Sequence, residues 1–264
     1  DRRAAYIRHP LAVPATYTID LDACTRCGAC APECPTGAID FAREGEELVR
    51  TVNAKAAIIA TGFHGLDPGV LPQYRWGTHP DVYTQVQFER RVSGSQGLTR
   101  RSDGAPMRRV AILHCIGSRD RDRDYCSSAC CLVAAKEALM VKELEPEAEV
   151  TLFYMDMRDQ VRDGYAYHQR TREAGVRMVR ARPSSVEIGE GGQLMVVYAD
   201  EREGVMEEPF DAVVLQMAQA PAGDIEALAD AAGVDLDENG FVARAPGTAT
   251  ATSREGVFVA GSAG

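Results

Sequence analysis

All eight cysteines of this 264-residue chain fall into two tight groups of four, at 24/27/30/34 and at 115/126/130/131. Few patterns constrain a fold as strongly, because four sulfurs that share one task must be brought to one point. A secreted disulfide scaffold scatters its cysteines through a small, loop-rich chain. Grouping by fours points instead to two metal sites in a reducing compartment. The vicinal pair Cys130-Cys131 is a poor disulfide, since a bridge between neighbours strains the backbone.

The second group follows an apolar run at 109–114 that reads as a buried parallel strand. It leads into residues 128–144, which read as a helix. A strand, a turn and a helix in that order normally carry a glycine-rich phosphate cradle. Here Gly117 remains, G-x-G-x-x-G is absent, and cysteines crowd the loop. Thiolates are soft ligands for iron–sulfur clusters or zinc, and a helix N-terminus favours their negative charge. Buried structural cysteines that merely cluster are the alternative.

The first group has the spacing C-x2-C-x2-C-x3-C-P, ending in Cys34-Pro35. This is the bacterial ferredoxin run, and it specifies a [4Fe–4S] cluster. Zinc sites rarely place three cysteines at two consecutive x2 spacings before C-P. Gly28 lets the backbone approach the cluster, and Pro35 turns the chain away. Two assignments of Cys34 stay open. It closes the cluster of Cys24, Cys27 and Cys30, or it serves a second cluster whose other ligands lie upstream.

Around these sites the chain reads as α/β. A short strand is expected at 15–19 and a turn and strand over 42–54. A buried strand leads to Ala60-Thr61-Gly62. A helix is expected over 82–91, and a loop or linker over 93–108. From residue 109 a β-α-β-α-β pattern uses strands at 109–115, 149–156 and 176–181 and helices at 128–144 and 165–174. A β-meander at 186–210, a return strand at 211–217 and a short helix at 224–232 follow. Such alternation argues for a parallel sheet with covering helices. The net charge of −10 disfavours a nucleic-acid partner. No apolar run approaches 18 residues, so no direct membrane span is expected. Neither a Ser-His-Asp set nor a carboxylate pair calls for hydrolysis, and no catalytic residue is assigned. His114, beside Cys115, is expected to pack or to tune a cluster rather than ligate it.

Taken together, these motifs resemble the A subunit of heterodisulfide reductases. The resemblance is carried by the ferredoxin run ahead of A-T-G, by C-x-G-S-R-D from Cys115, and by Tyr125-Cys-x-x-x-Cys-Cys. Phe153-Tyr-Met-Asp and the closing T-S-R-E-G-V-F-V-A-G complete it, so it covers nearly the whole chain. It implies a thioredoxin-reductase-like, two-dinucleotide-domain flavoprotein body with an inserted ferredoxin-like segment. On that scheme 1–50 is the insert, and 51–107 is part of the FAD-binding domain and a linker. Residues 108–220 form a Rossmann-like domain with the second [4Fe–4S] site, and 221–264 return to the FAD-binding domain. Cys24, Cys27, Cys30 and Cys34 would serve the inserted unit. Cys115, Cys126, Cys130 and Cys131 would ligate a cluster near FAD, and Ala60, Thr61, Gly62, Gly261 and Ser262 would meet the flavin dinucleotide.

Position 262 is Ser where the family has Asp, so that contact would lack charge. Near Gly164 the family often carries a Lys, and Arg162 and Asp163 stand there instead. The family's first flavin fingerprint and an upstream ferredoxin run are missing, which suggests the middle of a longer subunit or half of a split one. The implied function is electron transfer between FAD and [4Fe–4S] clusters, with bifurcation of electron pairs towards ferredoxin and a disulfide acceptor. The implied partners are B- and C-type subunits and a hydrogenase or dehydrogenase, in the cytoplasm. Two rivals are a non-catalytic cluster-bearing scaffold and the corresponding subunit of a quinone-interacting membrane-associated oxidoreductase. A pyridine-nucleotide oxidoreductase is a weaker third, because cysteines replace the dinucleotide fingerprint.

Overall fold

The computed structural model describes residues 3–7, 13–43, 49–94, 96–158 and 163–264. The chain divides into two units, Asp1–Ala54 and Lys55–Gly264, and each is described by itself. In the first, β1 (Ala5–Ile7) pairs antiparallel with β2 (Tyr17–Ile19), and turns carry the chain from Leu21 to Phe41. The strand expected within 42–54 does not form at 49–54; residues 44–48 lie outside the described residues. Val49 and Val52 are 77% and 80% exposed, so β-branched side chains here find no pleated surface to pack on.

The second unit begins with β3 (Ala57–Ile59), β4 (Phe63–Gly65), β5 (Val82–Thr84) and α1 (Gln85–Val92). It continues through β6 (Arg109–Ile116), α2 (Cys130–Leu144), β7 (Glu149–Phe153), α3 (Gly164–Glu173) and β8 (Arg177–Val179). The meander is β9 (Ser185–Ile188), β10 (Leu194–Asp200) and β11 (Gly204–Phe210). After it come β12 (Ala212–Met217), β13 (Gln219–Pro221), α4 (Ile225–Ala232) and β14 (Val257–Val259).

The centre is a five-stranded sheet in the order β5-β12-β6-β7-β8, with every pairing parallel. Alternation along β6 builds three layers. Val110 and Ile112 face a helical layer with Phe88 of α1 and Ala134, Ala138 and Val141 of α2. Ala111 and Leu113 face the meander, packing with Val186, Leu194, Val196 and Phe210. Both faces are covered, which is why β6 reads as one continuous apolar run. The alanines at 134 and 138, one helical turn apart, keep α2 close to the sheet. A separate core joins β3, β14 and α4 through Ile59, Val259, Ile225 and Ala229.

The helix expected over 82–91 needs correcting at its start. Residues 82–84 are a strand parallel to β12, and the helix begins at Gln85. Thr84 is its N-cap in a reciprocal capping box with Gln87. β5 and α1 are therefore part of the central sheet and its helical layer. Residues 93–108 contain no helix or strand among those described. Among the described residues, no helix is long and apolar enough to cross a membrane.

Candidate metal centres and a cofactor edge

Cys115 sits near the carboxyl end of β6, the end at which open α/β sheets present ligands. Its φ of +58° is left-handed, uncommon for a residue with a Cβ, and turns the chain out of the strand. Gly117 follows with φ +79°. A Cβ there would stand 2.3 Å from Leu66 Cδ2, so glycine is favoured by conformation, and any larger residue must also displace the Leu66 side chain. All eight cysteines are free thiols.

The loop beyond is fastened at several points. Arg119 grips Asp156, just past β7, through both terminal guanidinium nitrogens. That pairing holds the Asp156 carboxyl below the usual carboxylate range and raises Arg119. Arg182 donates to the carbonyls of Arg119 at 3.0 Å and of Cys115 and Ser118 at 3.5 Å. The Tyr125 hydroxyl donates to the Gln219 carbonyl at 2.6 Å, and the Gln219 N–H donates to the Ser127 hydroxyl at 3.0 Å. In the sequence Arg119 and Asp156 stand out only as parts of motifs, and Arg182 does not stand out at all. No periodicity marks an arginine that caps carbonyls.

Cys130 and Cys131 are the first two residues of α2, where unpaired N–H groups and the helix dipole favour negative sulfur. They meet Cys115 in the interior, and all three are buried. The Cys130 thiol is raised because it hydrogen-bonds Cys115 and Cys131. That same hydrogen bond lowers Cys115 to about 6, helped by His114 and Arg119 and opposed by burial. Cys131 is likewise lowered, first by Cys130 and then by His114. His114 is itself 2% exposed, and neither ring nitrogen reaches a hydrogen-bond partner among the described residues.

Cys126, the fourth residue of the expected set, is half-buried, and its sulfur accepts the Ser128 N–H at 3.4 Å. The structure thus gathers three of the four cysteines. Among the described residues, no group of three or more His, Cys, Asp or Glu side chains forms a shell that could hold a metal ion. A single ion draws its ligands to about 2.0–2.3 Å. An iron–sulfur cluster spreads its thiolates further apart, because each binds a different iron. Soft sulfur donors, low-pKa thiols and an unpartnered buried imidazole beside them fit such a group.

The first group is built differently. Cys24, Cys30 and Cys34 are half-buried and Cys27 is exposed. Backbone N–H groups already point at sulfur: Arg26 N–H to Cys24 at 3.4 Å and Ala38 N–H to Cys34 at 3.3 Å. Cys34 is lowered to about 7, chiefly by the Thr36 hydroxyl and then by the Ala38 N–H. The Ala29 N–H and the Thr25 hydroxyl lower Cys27. Gly28 has φ +73° with nothing within 4 Å of a notional Cβ. Within the chain, its glycine is required by conformation and not by crowding.

The five residues expected to meet FAD come together. β14 runs parallel to β3, so both strands end at the same edge. Ala60-Thr61-Gly62 leave β3 there, Gly261 and Ser262 leave β14, and the Ala260 N–H donates to the Ile59 carbonyl at 2.9 Å. Gly62 and Gly261 have φ +73° and +67° with open space where a Cβ would be. Ala60, Thr61 and Gly261 are exposed, and Gly62 and Ser262 are half-buried. Bare, glycine-turned backbone at paired strand ends fits close approach by a dinucleotide. Asp163, where the resemblance leads one to expect a lysine, precedes α3 with φ +65°, and Arg162 lies outside the described residues.

Comparison with known proteins places these features in a family. Residues 17–40, which include the whole first cysteine group, match the model of the 4Fe-4S binding domain. The A subunit of the H(2):CoB-CoM heterodisulfide,ferredoxin reductase of Methanothermobacter marburgensis is 34% identical over 269 residues, covering 98% of this chain and 40% of that protein. The A subunit of the Ferredoxin/F(420)H(2)-dependent CoB-CoM heterodisulfide reductase of Methanosarcina acetivorans is 36% identical, covering 86% of this chain and 29% of that protein. The iron-sulfur A subunit of the CoB--CoM heterodisulfide reductase of Methanocaldococcus jannaschii is also 36% identical, covering 91% and 38%. The chain belongs to the heterodisulfide reductase A-subunit family, and it spans between 29% and 40% of the length of these relatives. Among solved structures, the thioredoxin reductase of T. acidophilum has a TM-score of 0.48 at 20% identity, covering 80% of this chain and 58% of that one. That likeness is too loose to carry an argument.

Proposed function

We propose that this chain forms the part of an electron-transfer subunit that holds two [4Fe–4S] clusters and one edge of an FAD site. The observation that carries this reading is the meeting of Cys115, Cys130 and Cys131 where a parallel strand ends and a helix begins. In this proposal Cys126 swings in as the fourth ligand, and Cys24, Cys27, Cys30 and Cys34 hold the other cluster. Clusters of this kind pass single electrons, while a flavin exchanges a pair. The protein supplies position and electrostatics. Arg119 brings positive charge to Cys115, and the clamps of Arg182 and Asp156 fix the loop. At the other edge, Gly62 and Gly261 leave room for the dinucleotide and Ser262 offers a hydroxyl.

The finer reading follows the relatives. The work would be done within a heterodisulfide-reductase-type complex in the cytoplasm, with B- and C-type subunits and a hydrogenase or dehydrogenase donor. Electron pairs would be split between ferredoxin and a disulfide acceptor. The segments 1–50, 51–107, 108–220 and 221–264 are proposed as insert, FAD-domain part with linker, cluster-bearing domain and return to the FAD domain, with β5 and α1 of the second segment completing the sheet and helical layer of the third. The test is the iron, acid-labile sulfide and flavin content of the anaerobically purified complex. About eight irons attributable to this chain are expected, four for each [4Fe–4S] group. Four or fewer would contradict the two-cluster reading.

A further inference from the structure

His114 is the residue of the second site that the ligand set leaves unused. It occupies the position before Cys115 on the innermost strand and is 2% exposed. Neither ring nitrogen has a partner among the described residues. An imidazole buried without a partner forfeits the hydrogen bonds it would make in water. It flanks Cys131. In the free-thiol state the Cys131 sulfur lies 3.9 Å from the Asp156 carbonyl, to which it donates. Ligation to iron removes that proton. The sulfur can then only accept, and the carbonyl no longer suits it.

We propose that His114 donates an imidazole N–H to the sulfur of Cys131 once that sulfur is ligated, and thereby sets the reduction potential of the second cluster. The inference rests on the two-cluster reading above and deepens it. A donor aimed at ligating sulfur favours the reduced, more negative state, and such hydrogen bonds are among the terms that fix cluster potentials. His114 is a positioning residue, because it acts through Cys131 and not on iron.

The test is a redox titration followed by EPR, with iron counts, on the complex carrying His114→Leu or His114→Gln. Leu fills the space without a donor, and Gln restores an N–H. The Leu variant should keep its iron and shift the reduction equilibrium of one signal about tenfold towards the oxidised form, about 59 mV for a one-electron couple. Gln should recover most of the shift. An unchanged potential with full iron in the Leu variant overturns the proposal. Loss of about one cluster's iron in both variants also overturns it, by making His114 a ligand or a packing residue. If Cys130→Ser/Cys131→Ser has the same iron content as the unmodified complex, the cluster reading fails first and this inference falls with it.

Discussion

The two cysteine groups contain the same number of sulfurs and reach their sites by opposite routes. The first is local. Cys34 lies ten positions after Cys24, the side chains are exposed or half-buried, and sulfurs are met by neighbouring backbone N–H groups. The second is tertiary. Cys115 comes from a strand, Cys130 and Cys131 from a helix, and a clamp of Arg119, Asp156 and Arg182 ties the loop between them to the segments that follow β7 and β8. A local site is written in spacing and should tolerate changes elsewhere. A tertiary site is written in packing and should fail when the framework is disturbed.

Losing the local site should be the largest single effect and the most contained. Cys27→Ser should remove about one cluster's iron, four atoms, from the first unit. The thermal unfolding of Lys55–Gly264 should stay unchanged by calorimetry, and a lowered midpoint there would break the contrast.

Next in size is the core beneath the second site. Burial pushes the Glu137 carboxyl up to about 8, although Gln216 donates a hydrogen bond to it. The ordinary value is 4.5, so the folded state keeps a proton that the unfolded chain has lost. This contribution is fully present below pH 4.5 and is lost as the pH rises towards 8. Glu137→Gln should therefore change little at pH 4.5 and stabilise by about 4–5 kcal/mol at pH 8.5. Denaturant titrations at the two pH values read the difference, and equal gains at both would contradict it.

Smaller effects sharpen the role of the clamp. Arg119→Ala removes two charge-assisted bonds to a carboxylate that is 45% exposed, so about 1.5 kcal/mol is expected after allowing for solvent. Hydrogen exchange should rise in the loop 117–129 and not in β7. Gly117→Ala forces a Cβ into the left-handed region against Leu66 and should cost about 1 kcal/mol. A neutral result would show that the turn relaxes.

The same division decides what could be read from the chain alone. The ferredoxin run is legible because its four ligands sit within one short segment. The apolar run of β6, the helix α2 and the meander are legible because each buries a face with its own period. β5 was hidden, since three residues carry too little pattern to announce a parallel pairing with β12, more than a hundred residues away. The capping box at Thr84 and Gln87 was the available signal for its end. The antiparallel pair of β4 and β13 had no such marker. The four cysteines of the second site were visible as a group. That three of them close into a trio while Cys126 stays half-buried depends on the turn at Cys115 and on the arginine clamp. Spacing encodes neither.

The most direct measurement is low-temperature EPR, with iron counts, of the reduced complex carrying Cys130→Ser/Cys131→Ser against the unmodified complex. The account predicts the loss of one signal and about four irons, with the ferredoxin-type signal of the first group intact. Equal iron and identical spectra would show that Cys130 and Cys131 are structural, and the tertiary site would not be a metal centre.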